Sequence, residues 1–526
     1  MALEASSSPA PWLAALARDG GAIRNMPGSF TTPPAAAHTR GAGAGDGKIH
    51  IAFILPWMIL GGADSFNLSL LEGLDKDRYH VSVVTTHPAD NTWQPRFEAV
   101  TPDIYTLPSL LDMDYFPAFM SAFIENNRID LLFVSNSEFG YACLPWLRCQ
   151  FPGLAVVDYV HAPDWRIRGG GFARTAAAYG DVLDKTCVCN AHTRGEMIDR
   201  LGCPPKAVET VYIGVDETRF DPALVAPGQA YSRLGIAPAR PMVLFPCRIA
   251  PQKRPLLLLA IARQMAEAGS DAAFVVAGDG PDLARMQDYV RQHRLEQTVC
   301  FAGPQADVRP YYRDAALTLI CSSFEGLSLT AYESMAMATP VVTSDVGGQA
   351  ELVSNDNGAV LPLLAGDSPD AGHFTPEEVG LYADAIQRLL ADPQDLARRG
   401  ALCRQTVIQG FSLAGMVQKM DTLFTQLTTP AAVAARVQQY SPLAGYTRLC
   451  AENLLINVEY LKARAALEEN QLALAHAQGT LAAGASAAEQ ELARIRSMRS
   501  FRLANRYAAF MGRLRQRGRP PQTPQK

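Results

Sequence analysis

Short apolar runs bounded by polar residues recur along this chain, at intervals a helix can fill. KIHIAFIL (48–55), HVSVVTT (80–86), DLLFVSN (130–136), LAVVDYVH (154–161) and KTCVCN (185–190) read as buried strands. Between them, SFNLSLLEGL (65–74) and TRGEMIDRLG (193–202) carry apolar residues at helical spacing. A second block follows the Pro-containing stretch 222–241. Its strands are PMVLFPC (241–247), AAFVVAG (272–278), VCFAG (299–303), LTLICSS (317–323) and PVVTS (340–344), and PLLLLAIARQMAEAG (255–269) is one of its helices. Alternation of this kind predicts α/β architecture, with two doubly wound Rossmann-like domains whose parallel sheets are covered on both faces. Ligands of such sheets bind at the carboxyl ends of the strands, here in a cleft between the domains.

The ends of the chain have different patterns. Residues 1–46 are rich in Ala, Gly, Pro and Ser and are expected to be a disordered lead. The first domain is expected over 47–220, the second over 221–427 and a linker over 428–446. The remainder, 447–526, is expected to be a helical extension. Residues 447–493, rich in Ala, Leu and Glu, read as a long helix suited to a coiled coil and to self-association. Between Arg494 and Arg519 stand nine Arg and no acidic residue, interleaved with Ile495, Met498, Phe501, Tyr507, Phe510 and Leu514. That mixture fits a helix lying on an anionic membrane surface, and equally a basic disordered tail or a helix packing on its own dimer partner.

Charge and cysteine usage narrow the setting. A net charge of -5 over 526 residues gives no global pull toward nucleic acid, so any basic site is local. Ten scattered cysteines without a C-x2-C pair read as reduced thiols, and those of Cys247, Cys300 and Cys321 sit in apolar runs that pack. No apolar run approaches the roughly 20 residues of a membrane span, and the start lacks the pattern of a signal peptide. The expected location is cytoplasmic, with any membrane contact peripheral.

The strongest chemical signal is CSSFEGLSLTAYESMAMATPVV (321–342). A strand gives way to a loop and then to a helix that stops at Thr-Pro. Glu325 and Glu333 flank seven residues, a separation of at most ~12 Å if helical. The free N–H groups of a helix start suit a diphosphate. In FPCRIAPQKRP (245–255), Arg248 and Lys253 follow a strand and could neutralise a diphosphate leaving group. Gly61 and Gly62 follow the first strand, where glycine permits a tight turn and a close approach. His161 ends another strand, and Gly278 ends AAFVVAG. Taken singly, each of these also has a more ordinary reading: solvated carboxylates, surface cations, a turn, a structural histidine. GAGAGDGK (41–48) lacks the first Gly and final Ser/Thr of a P-loop, and metal spacings such as HExxH are absent, so neither a metal nor another cofactor is expected.

Together these motifs resemble glycosyltransferase family 4, over about residues 48–427. The resemblance implies a GT-B fold, a nucleotide-sugar donor, transfer with retention of anomeric configuration and no metal. It implies that Glu325 touches the transferred sugar and Glu333 the ribose hydroxyls. Gly326, Leu327, Ser328 and Leu329 would present the amides that face the phosphates. Ser328 stands where many members have Gly or Pro. Arg248 and Lys253 match the family's Arg-x4-Lys element, Gly61-Gly62 its first-domain glycine loop, His161 a histidine near the reacting sugar, and Gly278 a loop near the nucleotide. UDP is the expected donor nucleotide because it is common in the family. The basic C-terminal segment resembles those of bacterial surface-polysaccharide transferases, which implies a saccharide or lipid-linked saccharide acceptor. An inactive nucleotide-sugar-binding scaffold is the alternative. A nicotinamide-dependent enzyme would need G-x-G-x-x-G after a strand with an acid about 20 residues on, and neither domain has it.

Overall fold

The computed structural model describes residues 47–167, 169–366 and 370–497, with only the backbone of 472 and 475–497. The expected lead 1–46 and most of the basic segment 494–519 lie outside the described residues. Chain up to Leu455 forms one compact unit, and Ile456 onward a second.

The first unit holds two sheets. One contains β1 (Ile49–Leu55), β2 (Tyr79–Thr85), β3 (Ile104–Thr106), β4 (Leu131–Ser135), β5 (Ala155–Val160), β6 (Lys185–Val188) and β7 (Val208–Thr210) in the order β3-β2-β1-β4-β5-β6-β7. The other contains β8 (Met242–Pro246), β9 (Ala273–Ala277), β10 (Val299–Phe301), β11 (Leu317–Ile320), β12 (Val341–Ser344) and β13 (Gly358–Leu361) in the order β10-β9-β8-β11-β12-β13. Every pairing in both is parallel. Strands such as LLFVS and MVLFP are buried along their whole length. That is why they read as continuous apolar runs and not as alternating ones. Strand order reverses direction between β1 and β4 and again between β8 and β11, and these two switch points are where such sheets bind ligands.

The helices used below are α1 (Gly62–Gly73), α2 (Ala191–Asp199), α3 (Pro255–Glu267), α4 (Leu329–Ala336), α5 (Pro376–Leu390), α6 (Leu413–Leu427), α7 (Pro430–Tyr440) and α8 (Thr447–Ser497). Helix α6 does not stay with the second sheet, as a domain running to 427 would require. The chain crosses back at Val215 and Ser412, where the Val215 amide donates to Phe411 O (3.1 Å) and the Leu413 amide to Val215 O (2.9 Å). Asp421 then accepts from Arg78 (2.7 Å) and from the Tyr79 hydroxyl (2.6 Å), fixing α6 to the first domain. Nor is 428–446 an open linker. It is α7 followed by a 3-10 turn, Ser441–Tyr446, and Arg436 and Tyr440 reach the first domain at Gly153 O and Asp181 O. Thr429 caps α7 through the Ala432 amide, with Pro430 next, a start signal hidden in a Thr-Pro pair that resembles a break.

In the second unit α8 runs on to Ser497 as a single helix. Among the described residues no helix is long and apolar enough to cross a membrane.

Candidate functional site

Most of the residues singled out above follow the carboxyl ends of parallel strands. Loop 247–254 follows β8 and loop 321–328 follows β11, so the two cationic and acidic motifs occupy the second sheet's switch point. Their charges meet there: Lys253 donates to Glu325 in a close ion pair, both side chains mostly shielded from water. Burial alone would lower the Lys253 pKa, but the neighbouring Glu325 charge and hydrogen bond hold it above the ordinary lysine value. Arg248 stands exposed beside this pair, near enough for its charge to oppose that of Lys253.

The Lys253 loop is anchored from below by Arg254. This residue has φ +50°, an uncommon left-handed conformation outside glycine. Its guanidinium is fully buried, donates to Cys321 O (2.5 Å) and pairs with Glu378 on α5 at 2.7 Å. Glu378 also closes a capping box with Thr375 at the start of α5. So the strand end carrying Glu325 and the turn carrying Lys253 hang on one internal ion pair.

Gly278 and Gly280 have φ +155° and +157°, and a Cβ on them would stand 1.9 Å from Cys247 O and 2.2 Å from Ile249 O. Glycine is therefore required for this loop to lie against the Arg248 loop. The expectation for Gly61 and Gly62 is corrected in part. Gly61 is extended (φ -169°), not tightly turned, and Gly62 opens α1, where a Cβ would make ordinary contact with the Leu329 side chain at 3.7 Å. The neighbouring Asp64, buried in the first turn of α1, has its carboxyl pushed up to about 7 by burial.

Ser328 is the N-cap of α4, but its amide donates to the Gln349 side chain (3.2 Å) instead of facing open space. That overturns the expected set of free amides at this one position, because the helix Gln349–Leu352 brings an acceptor alongside. Leu327 is buried in the core and Leu329 is the first residue of α4. Glu333, one turn further, accepts from the Tyr312 hydroxyl (3.0 Å), and burial raises its carboxyl to about 7.

From the first domain, His161 follows β5 with Nε2 3.1 Å from the Ser135 hydroxyl, and the Phe66 and Tyr159 rings flank it at 5.3 and 4.8 Å. Burial lowers its pKa to about 3, so at neutral pH it is an uncharged imidazole that offers a hydrogen bond and no charge. His161 also lies against the second domain: a Cβ on Gly326 would stand 1.8 Å from His161 O. Gly326 O accepts from Asn190 of the first domain (2.8 Å) and from the Gly348 amide (2.7 Å). The structure thus brings His161, Glu325 and Gly326 together at the facing strand ends, with Lys253 paired to Glu325. Sequence reasoning passed over Asn190, Gln349, Glu351, Tyr312 and Arg254. The signals available were an Asn-x-x-Thr helix start and a second Gly-Gly after a strand. Among the described residues no group of His, Cys, Asp or Glu could hold a metal ion, and all ten cysteines are free thiols.

Sequence comparison bears directly on these two halves. A model of Glycosyltransferase Family 4 matches residues 60–219, and one of Glycosyl transferases group 1 matches 231–403. Both domains thus match glycosyltransferase family models, the first of them that of family 4. A D-inositol 3-phosphate glycosyltransferase of Kineococcus radiotolerans is 34% identical over 245 residues, 44% of this chain and 54% of its own length. An alpha-maltose-1-phosphate synthase of Mycobacterium tuberculosis is 32% identical over 232 residues, 42% of this chain and 58% of its own. The chain thus spans about half the length of the curated relatives it matches. Among solved structures, Anabaena Alr3699/HepE in complex with UDP superposes with a TM-score of 0.60 at 18% identity, over 72% of this chain and 100% of that one. A glycosyltransferase from Rickettsia africae does so with 0.59 at 15% identity, over 72% and 98%. At such identities the likeness is one of fold, and the fold is GT-B, two Rossmann-like domains with a helical region at the C-terminal end.

Proposed function

We propose that this protein transfers a sugar from a nucleotide-diphosphate donor to a hydroxyl acceptor, with retention at the anomeric carbon. The observation that carries the reading is the Lys253–Glu325 pair beside Arg248, at the switch point of the second sheet and across from His161. Breaking the bond from the anomeric carbon to the β-phosphate oxygen leaves negative charge on the diphosphate. Lys253 and Arg248 are the cations placed to take it up, and in a preorganised site they need no reorganisation to do so. The acceptor oxygen bonds to the same face of that carbon, and its proton passes to the departing phosphate oxygen. Glu325 and neutral His161 hold the sugar, and Glu333 accepts from the ribose hydroxyls. Catalysis of this kind rests on positioning and needs no metal. UDP is the proposed nucleotide, supported by the UDP and UDP-glucose complexes of the Anabaena neighbour.

The names of the sequence relatives point to phosphorylated small acceptors, whereas the basic segment 494–519 points to a lipid-linked saccharide at the cytoplasmic face of a membrane and a role in surface polysaccharide. Turnover of UDP-glucose with D-inositol 3-phosphate, glucose 1-phosphate and a lipid-linked saccharide separates these. Glu325→Gln should abolish transfer while leaving UDP binding in place. If the wild-type chain binds UDP yet neither transfers nor hydrolyses any nucleotide sugar, the inactive-scaffold alternative replaces this reading. Truncation after Ser486 should remove binding to anionic vesicles and leave turnover of a soluble acceptor, and EDTA should not slow it. Self-association is supported by Ile456, Tyr460, Leu467 and Leu474, all exposed at spacings that share one face of α8. Sedimentation of Leu467→Ser/Leu474→Ser against wild type tests it.

A further inference from the structure

Glu351 is in the second domain, on the single turn Gln349–Leu352 that follows Gly347-Gly348. Its carboxylate reaches into the first domain. One oxygen accepts from the Ala191 amide (2.9 Å) and the Tyr212 hydroxyl (2.6 Å), and the other from the His192 amide (2.8 Å). Ala191 and His192 are the first two residues of α2, whose amides have no partner within the helix, and the positive end of the helix dipole adds to the attraction. The third amide, at Thr193, is taken by the N-cap Asn190 (2.6 Å). The same Asn190 side chain donates to Gly326 O, one residue from Glu325.

We propose that Glu351 is a positioning residue, a latch that closes the two domains and thereby sets Glu325 opposite His161. This deepens the sugar-transfer reading and rests on it for its catalytic half. When Glu351 engages α2, Asn190 is carried against the Gly326 carbonyl, and the loop bearing Glu325 is held from both domains. The contact suits reversible use. Glu351 is only half-buried, so water reaches both its carboxylate and the two amides when the latch opens, and no buried group is left stranded. A latch that opens is what donor entry and product exit between two domains require.

The test uses the full chain with UDP as the binding probe and UDP-glucose as donor. Glu351→Ala should keep the UDP dissociation constant within about twofold, lower kcat about tenfold or more, and abolish the hydrogen-exchange protection of the 191–192 amides. Tyr212→Phe removes one of three hydrogen bonds and should show the smallest loss. Glu351→Gln, which keeps an acceptor oxygen, should fall between. Unfolding temperature should move little across the series, because Glu351 is only half-buried and Tyr212→Phe keeps the ring that packs against the core. Wild-type kcat and wild-type amide protection in Glu351→Ala would overturn the proposal, as would a loss of kcat that only follows loss of stability. If the wild type never turns over a nucleotide sugar, the sugar-transfer reading fails, while amide protection still reports whether the latch exists.

Discussion

Gly326→Ala adds one methyl group at a point where the two domains touch closely. The new Cβ would stand 1.8 Å from His161 O and 2.9 Å from Cys189 Sγ, whereas real Cβ contacts do not fall under 3.0 Å. His161 O cannot yield by a rotamer change, since it is backbone just after β5, and the Cys189 thiol is engaged with that same carbonyl at 2.7 Å. The domains must therefore part by about 1.2 Å at this point. Forced to remain closed, an overpacked site costs about 1–3 kcal/mol, and parting avoids most of that. The damage should fall on turnover instead, because a displacement of about 1 Å at a reacting centre can cost about 100-fold. The assay is kcat with UDP-glucose beside the unfolding temperature. Gly180→Ala is the control, since nothing lies within 4 Å of its would-be Cβ. A Gly326→Ala chain that turns over at the wild-type rate would refute the placement of Gly326 against His161.

Three further outcomes follow from the geometry. Glu378→Gln removes the charge partner of a fully buried guanidinium and should cost about 3–5 kcal/mol in urea denaturation, well above the effect of any exposed ion pair such as Arg291–Asp288. Glu333 holds its proton more tightly in the folded chain (about 7) than when unfolded (4.5), so it makes stability fall as pH rises through that window. Glu333→Gln should remove up to about 3 kcal/mol of that fall, while a residual slope persists because burial also raises Asp64 and Asp158 to about 7; denaturation midpoints at pH 5 and 8 measure it. Arg248→Lys should weaken UDP binding and turnover about tenfold or more, because a single ammonium cannot replace a forked guanidinium on a diphosphate, and calorimetry with UDP reads this directly.

The alternation of apolar runs with helical spacing was enough to establish both parallel sheets, since strands buried on two faces leave no other pattern. It missed β3, β7 and β13. IYT and VET are three residues long and GAVL four, none is buried along its whole length, and all three are edge strands. The residues at the second sheet's switch point were legible for a related reason. Lys253, Glu325 and Glu333 lie next to strand ends or helix starts, so local pattern places them. What the sequence could not show is anything decided by one domain meeting the other. Glu351 reads as an ordinary acid after a glycine pair, and only the facing of β6 and β12 puts it on the first amides of α2. Arg254 reads as one more surface cation, and only the packing of α5 makes it the buried anchor of the Lys253 turn. The segment 413–440 reads as the end of a domain and a linker. Its return to the first domain depends on Asp421 finding Arg78 and Tyr79, more than 340 residues earlier. Periodicity records which face of an element is buried, but the identity of the neighbour that buries it is a long-range fact that only the tertiary structure supplies.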